Sequence, residues 1–157
     1  MTFTEIAGME QIMTDTSAHE STVADVMRPA LTMVNQNDHV AAAAYLMKHA
    51  GTSALVVLDG HETNRPVGLF TEADIVHAVA DGKDVNEVRI HDLMTSAPTV
   101  VDGATSVRDA ANLMLKDHFR HLPVVGPDGL SGIVDIGDIC RALLDQPGND
   151  PDAAAER

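Results

Sequence analysis

The chain contains the same order of motifs twice, and this repeat restricts it to folds that pair two copies of one unit. The matched segments are ADVMRPALTMV (24–34) with HDLMTSAPTVV (91–101), VAAAAYLM (40–47) with VRDAANLM (107–114), SALVV (53–57) with HLPVV (121–125), and GLFTEADIV (68–76) with GIVDIGDIC (132–140). The members of a pair lie 67, 67, 68 and 64 residues apart, in chain order. Because the order is constant and only the spacing changes, the copies differ in loop length, and each spans roughly 60 residues.

Each copy contains one helix that the spacing of its apolar residues predicts. The stripe positions, spaced i, i+3, i+4 and i+7, are Val40, Ala43, Ala44 and Met47 in the first copy and Val107, Ala110, Ala111 and Met114 in the second. The other predicted elements are helical segments ending near Met27 and Met94, extended segments at 31–34 and 98–101, strands at 54–58, 67–70, 122–125 and 130–134, and helices at about 72–80 and 136–144. Each copy is therefore predicted as β-α-β-β-α.

One unit of this size is too small to bury a good core, so we expect two units to pack through their apolar strands. The predicted fold class is α+β, with two β-α-β-β-α repeats related by a pseudo-twofold axis. The predicted division is an N-terminal extension at 1–20 that can form a helix, a first repeat at 21–85, a second repeat at 86–145 and a mobile tail at 146–157.

The composition argues against several classes of partner. Ten basic and 24 acidic residues give a formal net charge of −14, and such a surface repels nucleic-acid backbones and anionic lipid. Cys140 is the single cysteine, and the histidines outside the repeated motifs lack ligand spacing, so neither a disulfide nor a metal site is expected. The sequence shows no membrane-span pattern and no signal-peptide pattern. We expect a cytoplasmic protein.

The turn from the last strand to the last helix of each repeat, called here the corner, is the repeated motif with the most groups that could bind a ligand. Thr71 followed by Asp74, and Asp135 followed by Asp138, each fit a capping box, which needs no ligand. A helix N-terminus also offers N–H donors to phosphate, and an Asp one turn later can accept hydrogen bonds from a ribose diol. The corner alone leaves both interpretations open.

Several motifs together resemble the cystathionine-β-synthase (CBS) domain. They are the Met-Thr-x-x-Pro-x-x-Val pattern from Met94, the Ala-rich helix, FRHLPVV from Phe119, and GIVDIGDI from Gly132. The resemblance covers residues 23–144, and the paired arrangement is similar to a Bateman module. It implies binding of adenosyl compounds (AMP, ADP, ATP, S-adenosylmethionine or cyclic dinucleotides) in clefts between the repeats, and assembly into homodimers.

The resemblance further implies two clefts, each formed by the corner of one repeat and the strand entry of the other. Carried over to this sequence, the first cleft has Thr71, Asp74, Thr99, Arg120, His121 and Pro123. The second cleft has Asp135, Asp138, Thr32, Thr52, Ser53 and Leu55.

The two clefts are predicted to differ in charge. In the first, Thr71 can donate a hydrogen bond to phosphate and Arg120 can form charge-assisted contacts with it. Two further basic residues, Lys116 and His118, lie just upstream. Their position at a solvated helix end explains them equally well without a ligand. In the second, Asp135 takes the anion position itself and repels phosphate. An uncharged or cationic ligand such as S-adenosylmethionine suits this cleft better than ATP, with Asp138 as a ribose contact. A vestigial, empty cleft is the alternative.

These observations favour a stand-alone, non-catalytic regulatory module that binds an adenine nucleotide in the first cleft and signals to a partner protein. A dimerisation scaffold with empty clefts is the second hypothesis. Catalysis is not expected, because the sequence presents no nucleophile–base pair and no metal cluster.

Overall fold

The computed structural model describes residues 20–60 and 63–145. Apart from Glu20, the predicted N-terminal extension (1–20) and the predicted tail (146–157) lie outside the described residues. The elements are α1 (Val23–Val26), β1 (Met33–Asn35), α2 (Val40–Ala50), β2 (Ala54–Leu58), β3 (Pro66–Thr71), α3 (Glu72–Ala80), a 3₁₀ turn (Ile90–Asp92), β4 (Thr95–Ser96), β5 (Val101–Asp102), α4 (Val107–Asp117), β6 (His121–Gly126), β7 (Gly129–Asp135) and α5 (Ile136–Leu144).

The strands form two small sheets with the same internal order. In the first, β1 pairs parallel with β2, and β2 pairs antiparallel with β3; in the second, β5, β6 and β7 repeat this arrangement. The predicted α+β class and the two β-α-β-β-α repeats are confirmed. The strand β4 was not predicted, and it adds to the edge of β3 through Gly68 and Ser96.

The buried apolar residues form two clusters, one for each sheet. The first consists of Val34, Val40, Ala43, Met47, Leu55, Val57, Phe70 and Ile90, and the second of Val23, Val101, Val107, Ala110, Ala111, Met114, Leu122, Val124, Val134 and Ile139. The helical stripes are buried as predicted, except that Ala44 is half-buried.

The segment that leads into each repeat, called here its leading segment, packs in the core of the other repeat. Val23 is fully buried in the second cluster, and its backbone N–H donates to Thr105 O at 2.8 Å. Ile90 is fully buried in the first cluster, and its N–H donates to Asp38 O at 3.0 Å. Each repeat is therefore completed by the segment that leads into the other repeat, and the crossing ties the two sheets into one body.

The backbone corrects one detail of the sequence repeat. In the parallel strand pairs, Val34 lies opposite Val57 and Val101 lies opposite Val124, so the separation stays at 67 residues through β2 and β6. Ser53 therefore corresponds to Arg120, not to His121 as the 68-residue alignment predicts. The hydrogen bonds agree, since Ser53 O accepts from Glu72 N and Arg120 O accepts from Ile136 N in the same way.

A glycine in the last strand of each repeat makes room for a methionine of the exchanged segment. A Cβ at Gly68 would collide with the thioether of Met94, and a Cβ at Gly132 would lie 2.6 Å from Arg28 O and 3.0 Å from Met27 Sδ. The glycines thus permit each exchanged segment to lie close to the strand that leads into the corner.

Candidate functional site

The first cleft is a cavity of about 480 Å³ between the two repeats. Its walls are the corner between β3 and α3, the segment around β4, and the loop that leads into β6. The lining residues are Ser53, Leu69, Thr71, Glu72, Ala73, Thr95, Ala97, Pro98, Thr99, His118, Phe119, Arg120 and His121. The exchange of leading segments explains this composition, because it brings residues 95–99 against the corner of the first repeat.

The cavity brings together four of the predicted site residues: Thr71, Thr99, Arg120 and His121. Pro123 is buried within β6 opposite Ile133, away from the lining. Asp74 lies one turn inside α3, also outside the lining. The predicted residue Asp138 belongs to the opposite corner, at the start of α5.

Asp74 caps the helix of the first corner. Its Oδ2 accepts hydrogen bonds from Thr71 N at 2.7 Å and from Thr71 Oγ1 at 2.9 Å. The capping interpretation of TEAD is therefore confirmed, while a ribose contact from Asp74 remains a prediction. Because the Thr71 hydroxyl donates its single hydrogen to Asp74, it can only accept a hydrogen bond from a ligand, and the predicted donation from Thr71 to phosphate does not fit this geometry.

A hydrogen bond between the repeats lies at the wall of the first cleft. Ser53 Oγ is 2.8 Å from His121 Nε2, and both residues line the cavity. Burial lowers the pKa of His121 from its usual value of 6.5; the charges of Arg120 and Arg28 lower it further, while Asp135 and Glu72 oppose the shift. His121 is therefore neutral at pH 7, and it contributes a hydrogen-bonding ring rather than a positive charge.

The positive charge on the cavity wall comes from Arg120. Within residues 20–60 and 63–145, no carboxylate forms an ion pair with the Arg120 guanidinium. His118 also lines the cavity, whereas Lys116 does not. Lys116 is therefore not one of the basic residues at the site. Sequence reasoning missed the acidic lining residue Glu72, which stands at the first position of α3.

The second cleft is a cavity of about 460 Å³ at the equivalent place in the other half of the molecule. Its lining residues are Arg28, Pro29, Ala30, Leu31, Thr32, Ala50, Thr52, Ala54, Val56 and Ile133. Thr32 and Thr52 line this cavity as predicted, whereas the predicted residues Asp135 and Asp138 do not. Ser53 lines the first cleft instead, and Leu55 is buried in the first core.

The second corner holds an ion-pair cluster that the sequence did not predict. Arg28 bonds Asp135 through its terminal guanidinium nitrogen, and Arg28 Nε lies 3.1 Å from Asp138 Oδ2. Arg141 adds a longer contact of 3.7 Å to Asp138. The prediction that Asp135 repels phosphate took no account of Arg28, which pairs with Asp135 from the opposite repeat and offsets its charge.

The described part of the chain lacks two further features. Its histidines, cysteine and carboxylates form no group of three that could hold a metal ion. None of the helices in the described ranges is long and apolar enough to cross a membrane.

Comparison with known proteins identifies the architecture. A sequence model of the CBS domain matches residues 23–81 and, a second time, residues 90–145. The chain belongs to the CBS domain family. This tandem CBS chain is 40% identical over 124 residues to an uncharacterised 17.7 kDa protein of Acidianus ambivalens, a match that covers 78% of this chain and 73% of the relative.

Two solved CBS structures are similar to this chain in fold and sequence. CBSX2 of Arabidopsis thaliana, in a crystal structure with AMP, has a TM-score of 0.65 and 34% identity, and the match covers 79% of this chain and 96% of CBSX2. The hexameric CBS-CP12 protein from bloom-forming cyanobacteria has a TM-score of 0.71 and 29% identity, covering 78% and 67% of the two chains.

Proposed function

We propose that this tandem CBS chain is a non-catalytic regulatory module that binds an adenine nucleotide (AMP, ADP or ATP) in the first cleft. Thr71 and Thr99 face the ligand with hydroxyl groups, Arg120 contacts a phosphate, and His121 offers its ring nitrogen. Asp74 accepts hydrogen bonds from the ribose hydroxyls through Oδ1, since the cap uses Oδ2.

The observation that carries this proposal is Arg120, which stands on the wall of a cavity of about 480 Å³ and pairs with no carboxylate of residues 20–60 and 63–145. A guanidinium that pairs with no described carboxylate is available to bind phosphate. Its planar set of charged N–H donors is well suited to charge-assisted hydrogen bonds. The AMP complex of CBSX2 supports an adenosine ligand for the same fold. The volume of the cavity lies within the roughly 300–1,000 Å³ that is typical of small-molecule sites. A site of this volume is on the order of the size of one nucleotide.

The signal would pass through the arrangement of the two repeats. Because both repeats line the first cleft, a bound nucleotide favours the state in which they are held together, and it shifts the population toward that state. We propose that a homodimer presents this state to a partner protein. The exposed apolar side chains of the helices support an interface between copies: Tyr45, Val76 and Val79 in the first repeat, and Leu115 and Leu144 in the second.

Isothermal titration calorimetry with AMP, ADP, ATP and S-adenosylmethionine tests the proposal. We expect saturable binding of at least one adenine nucleotide at one site per chain, together with a rise in melting temperature. Preference for S-adenosylmethionine over all three nucleotides would assign the alternative ligand class. Absence of binding to the whole panel would favour the dimerisation scaffold.

A further inference from the structure

The paired residues Arg28 and Asp135 distinguish the second cleft from the first. At the 67-residue separation that the backbone confirms, Arg28 corresponds to Thr95, and in the matched corners Asp135 corresponds to Thr71. Thr71 and Thr95 both line the first cavity. Two neutral hydroxyl residues in one cleft are thus replaced by one ion pair in the other.

Arg28 lines the second cavity, while its partners Asp135 and Asp138 stand at the corner outside the lining. Asp138 is the counterpart of Asp74, and its side chain is only 11% exposed. Its Oδ2 already receives Arg28 Nε at 3.1 Å and the Asp135 N–H at 3.3 Å, while Arg141 lies 3.7 Å from Oδ1. In the first corner, both hydrogen bonds to the Asp74 carboxylate from described residues come from Thr71 and go to Oδ2. The described residues therefore leave Asp74 Oδ1 without a hydrogen bond in the first corner, whereas in the second corner the Arg28 guanidinium is bonded to Asp138.

Arg28 is also held in place by its backbone. Its N–H donates to Ile133 O, and its carbonyl accepts from Ile133 N, both at 2.9 Å. The side chain starts from a fixed point on the edge of β7, which directs it at the corner that follows. Displacement of Arg28 would leave Asp135 and the largely buried Asp138 close together without their strongest cation, and that state is unfavourable.

We propose that the Arg28–Asp135 pair closes the second cleft to adenosine and thereby limits the chain to one ligand site. Both members are required, because either one alone leaves an unpaired charge at the corner. This inference rests on the proposed function for the identity of the ligand, and it adds which residues set the number of sites.

The test exchanges the pair between the clefts. The double variant R28T/D135T gives the second corner the residues of the first, and T71D/T95R gives the first corner the residues of the second. Adenosine is the probe, because once Arg28 is replaced the described lining of the second cavity holds no cation for a phosphate. Calorimetry counts the sites, and melting temperature confirms that each variant is folded.

We expect one adenosine site more in R28T/D135T than in the natural chain, and one site fewer in T71D/T95R. The single variants R28T and D135T should gain none. An equal number of sites in R28T/D135T and the natural chain, or a gained site in either single variant, would overturn the proposal.

Failure of the proposed function gives a different pattern. If the natural chain binds neither adenosine nor AMP, the first cleft is not a nucleotide site. The gain in R28T/D135T then still decides the role of the pair: one new site supports closure by the ion pair, and no new site overturns it.

Discussion

Ser53 Oγ and His121 Nε2 lie 2.8 Å apart and join the two repeats at the wall of the first cleft. The bond crosses between halves of the molecule that otherwise have separate cores. It also places a titratable ring where a change of protonation is felt by both repeats.

We predict that His121 makes the stability of the chain depend on pH. Its pKa in the folded state is below the usual 6.5, so the unfolded chain binds the proton more readily. Stability from this residue is complete above pH 6.5 and decreases as the pH falls from 6.5 to the lowered folded pKa. Melting temperatures of the natural chain and H121Q between pH 5 and 8 measure this contribution. Parallel curves for the two proteins would contradict the prediction.

Arg120 should provide the phosphate contact of the first cleft. We expect R120A to weaken AMP binding by about ten- to a hundredfold, because a hydrogen bond to a charged group contributes about 1.5–3 kcal/mol. K116A is the matched control, since Lys116 is an exposed cation four residues away that does not line the cavity. Calorimetry with AMP measures both. Equal losses in the two variants would show that general positive charge, rather than this cleft, attracts the nucleotide.

Asp74 and Asp138 have the same capping role, so their substitution separates capping from ligand binding. Each substitution removes a helix cap, which lowers the free energy of unfolding by about 1 kcal/mol. D138A should cost more, because Arg28 loses a partner. We expect D74A to abolish AMP binding, while D138A keeps most of it. Melting temperature reports the first effect and calorimetry the second. Loss of AMP binding in both variants would contradict the asymmetry between the clefts.

The loop between β2 and β3 holds the turn between β6 and β7. Leu130 N donates to Asn64 O at 2.7 Å, and a Cβ at Gly129 would collide with that same carbonyl. Gly129 also has a φ of +97°, which disfavours other residues. G129A should therefore lower the free energy of unfolding by more than G82A, where φ is +70° and the space is open. Urea unfolding measures both; G82A should cost roughly 1–2 kcal/mol from backbone strain alone.

The proposed homodimer should depend on the exposed helical face. Val79 is 63% exposed on α3, and a buried carboxylate at this point would be costly in an interface between copies. We expect V79E to shift the chain toward the monomer in sedimentation velocity. L31E is the control, because Leu31 is 86% exposed but lies outside the helices. Dissociation by L31E and not by V79E would place the interface elsewhere.

Local patterns predicted the helices and strands well. The apolar stripe from Val40 and its copy from Val107 both lead into helices, and β2, α3 and α5 have the predicted bounds. The extended segments before α2 and α4 are shorter and lie further along the chain than predicted, at β1 and β5. Their position depends on parallel pairing with β2 and β6, which local sequence does not specify.

The alignment of SALVV with HLPVV failed by one residue for a physical reason. Two adjacent valines occur in both segments, so the letters match at 68 residues, but side chains in a strand alternate between faces and a slip of one residue reverses them. The correct separation is given by the last residues of the helices that precede these strands. Gly51 and His118 both end their helices in the left-handed conformation, with φ of 64° and 59°, at a separation of 67 residues.

The ion-pair cluster was missed because its members are far apart in the chain. Arg28 and Asp135 are 107 residues apart, and only the exchange of leading segments brings them together. A signal was nevertheless present in the repeat. Arg28 stands in place of Thr95 at the 67-residue separation, and Asp135 stands in place of Thr71 at the 64-residue separation of its own motif. Two such changes to opposite charges indicate a contact.

The exchange of leading segments has a consequence for the order in which the protein is made. Val23 leaves the ribosome before every other residue of its core, and the strands that cover it, β6 and β7, follow about a hundred residues later. The first repeat likewise waits for Ile90, which is synthesised after all of its own strands and helices. Neither half is therefore complete when its own consecutive stretch has emerged, and a cut between residues 81 and 90 yields two fragments that each lack a fully buried side chain. Expression of two such fragments would be a complementation experiment rather than a separation of domains.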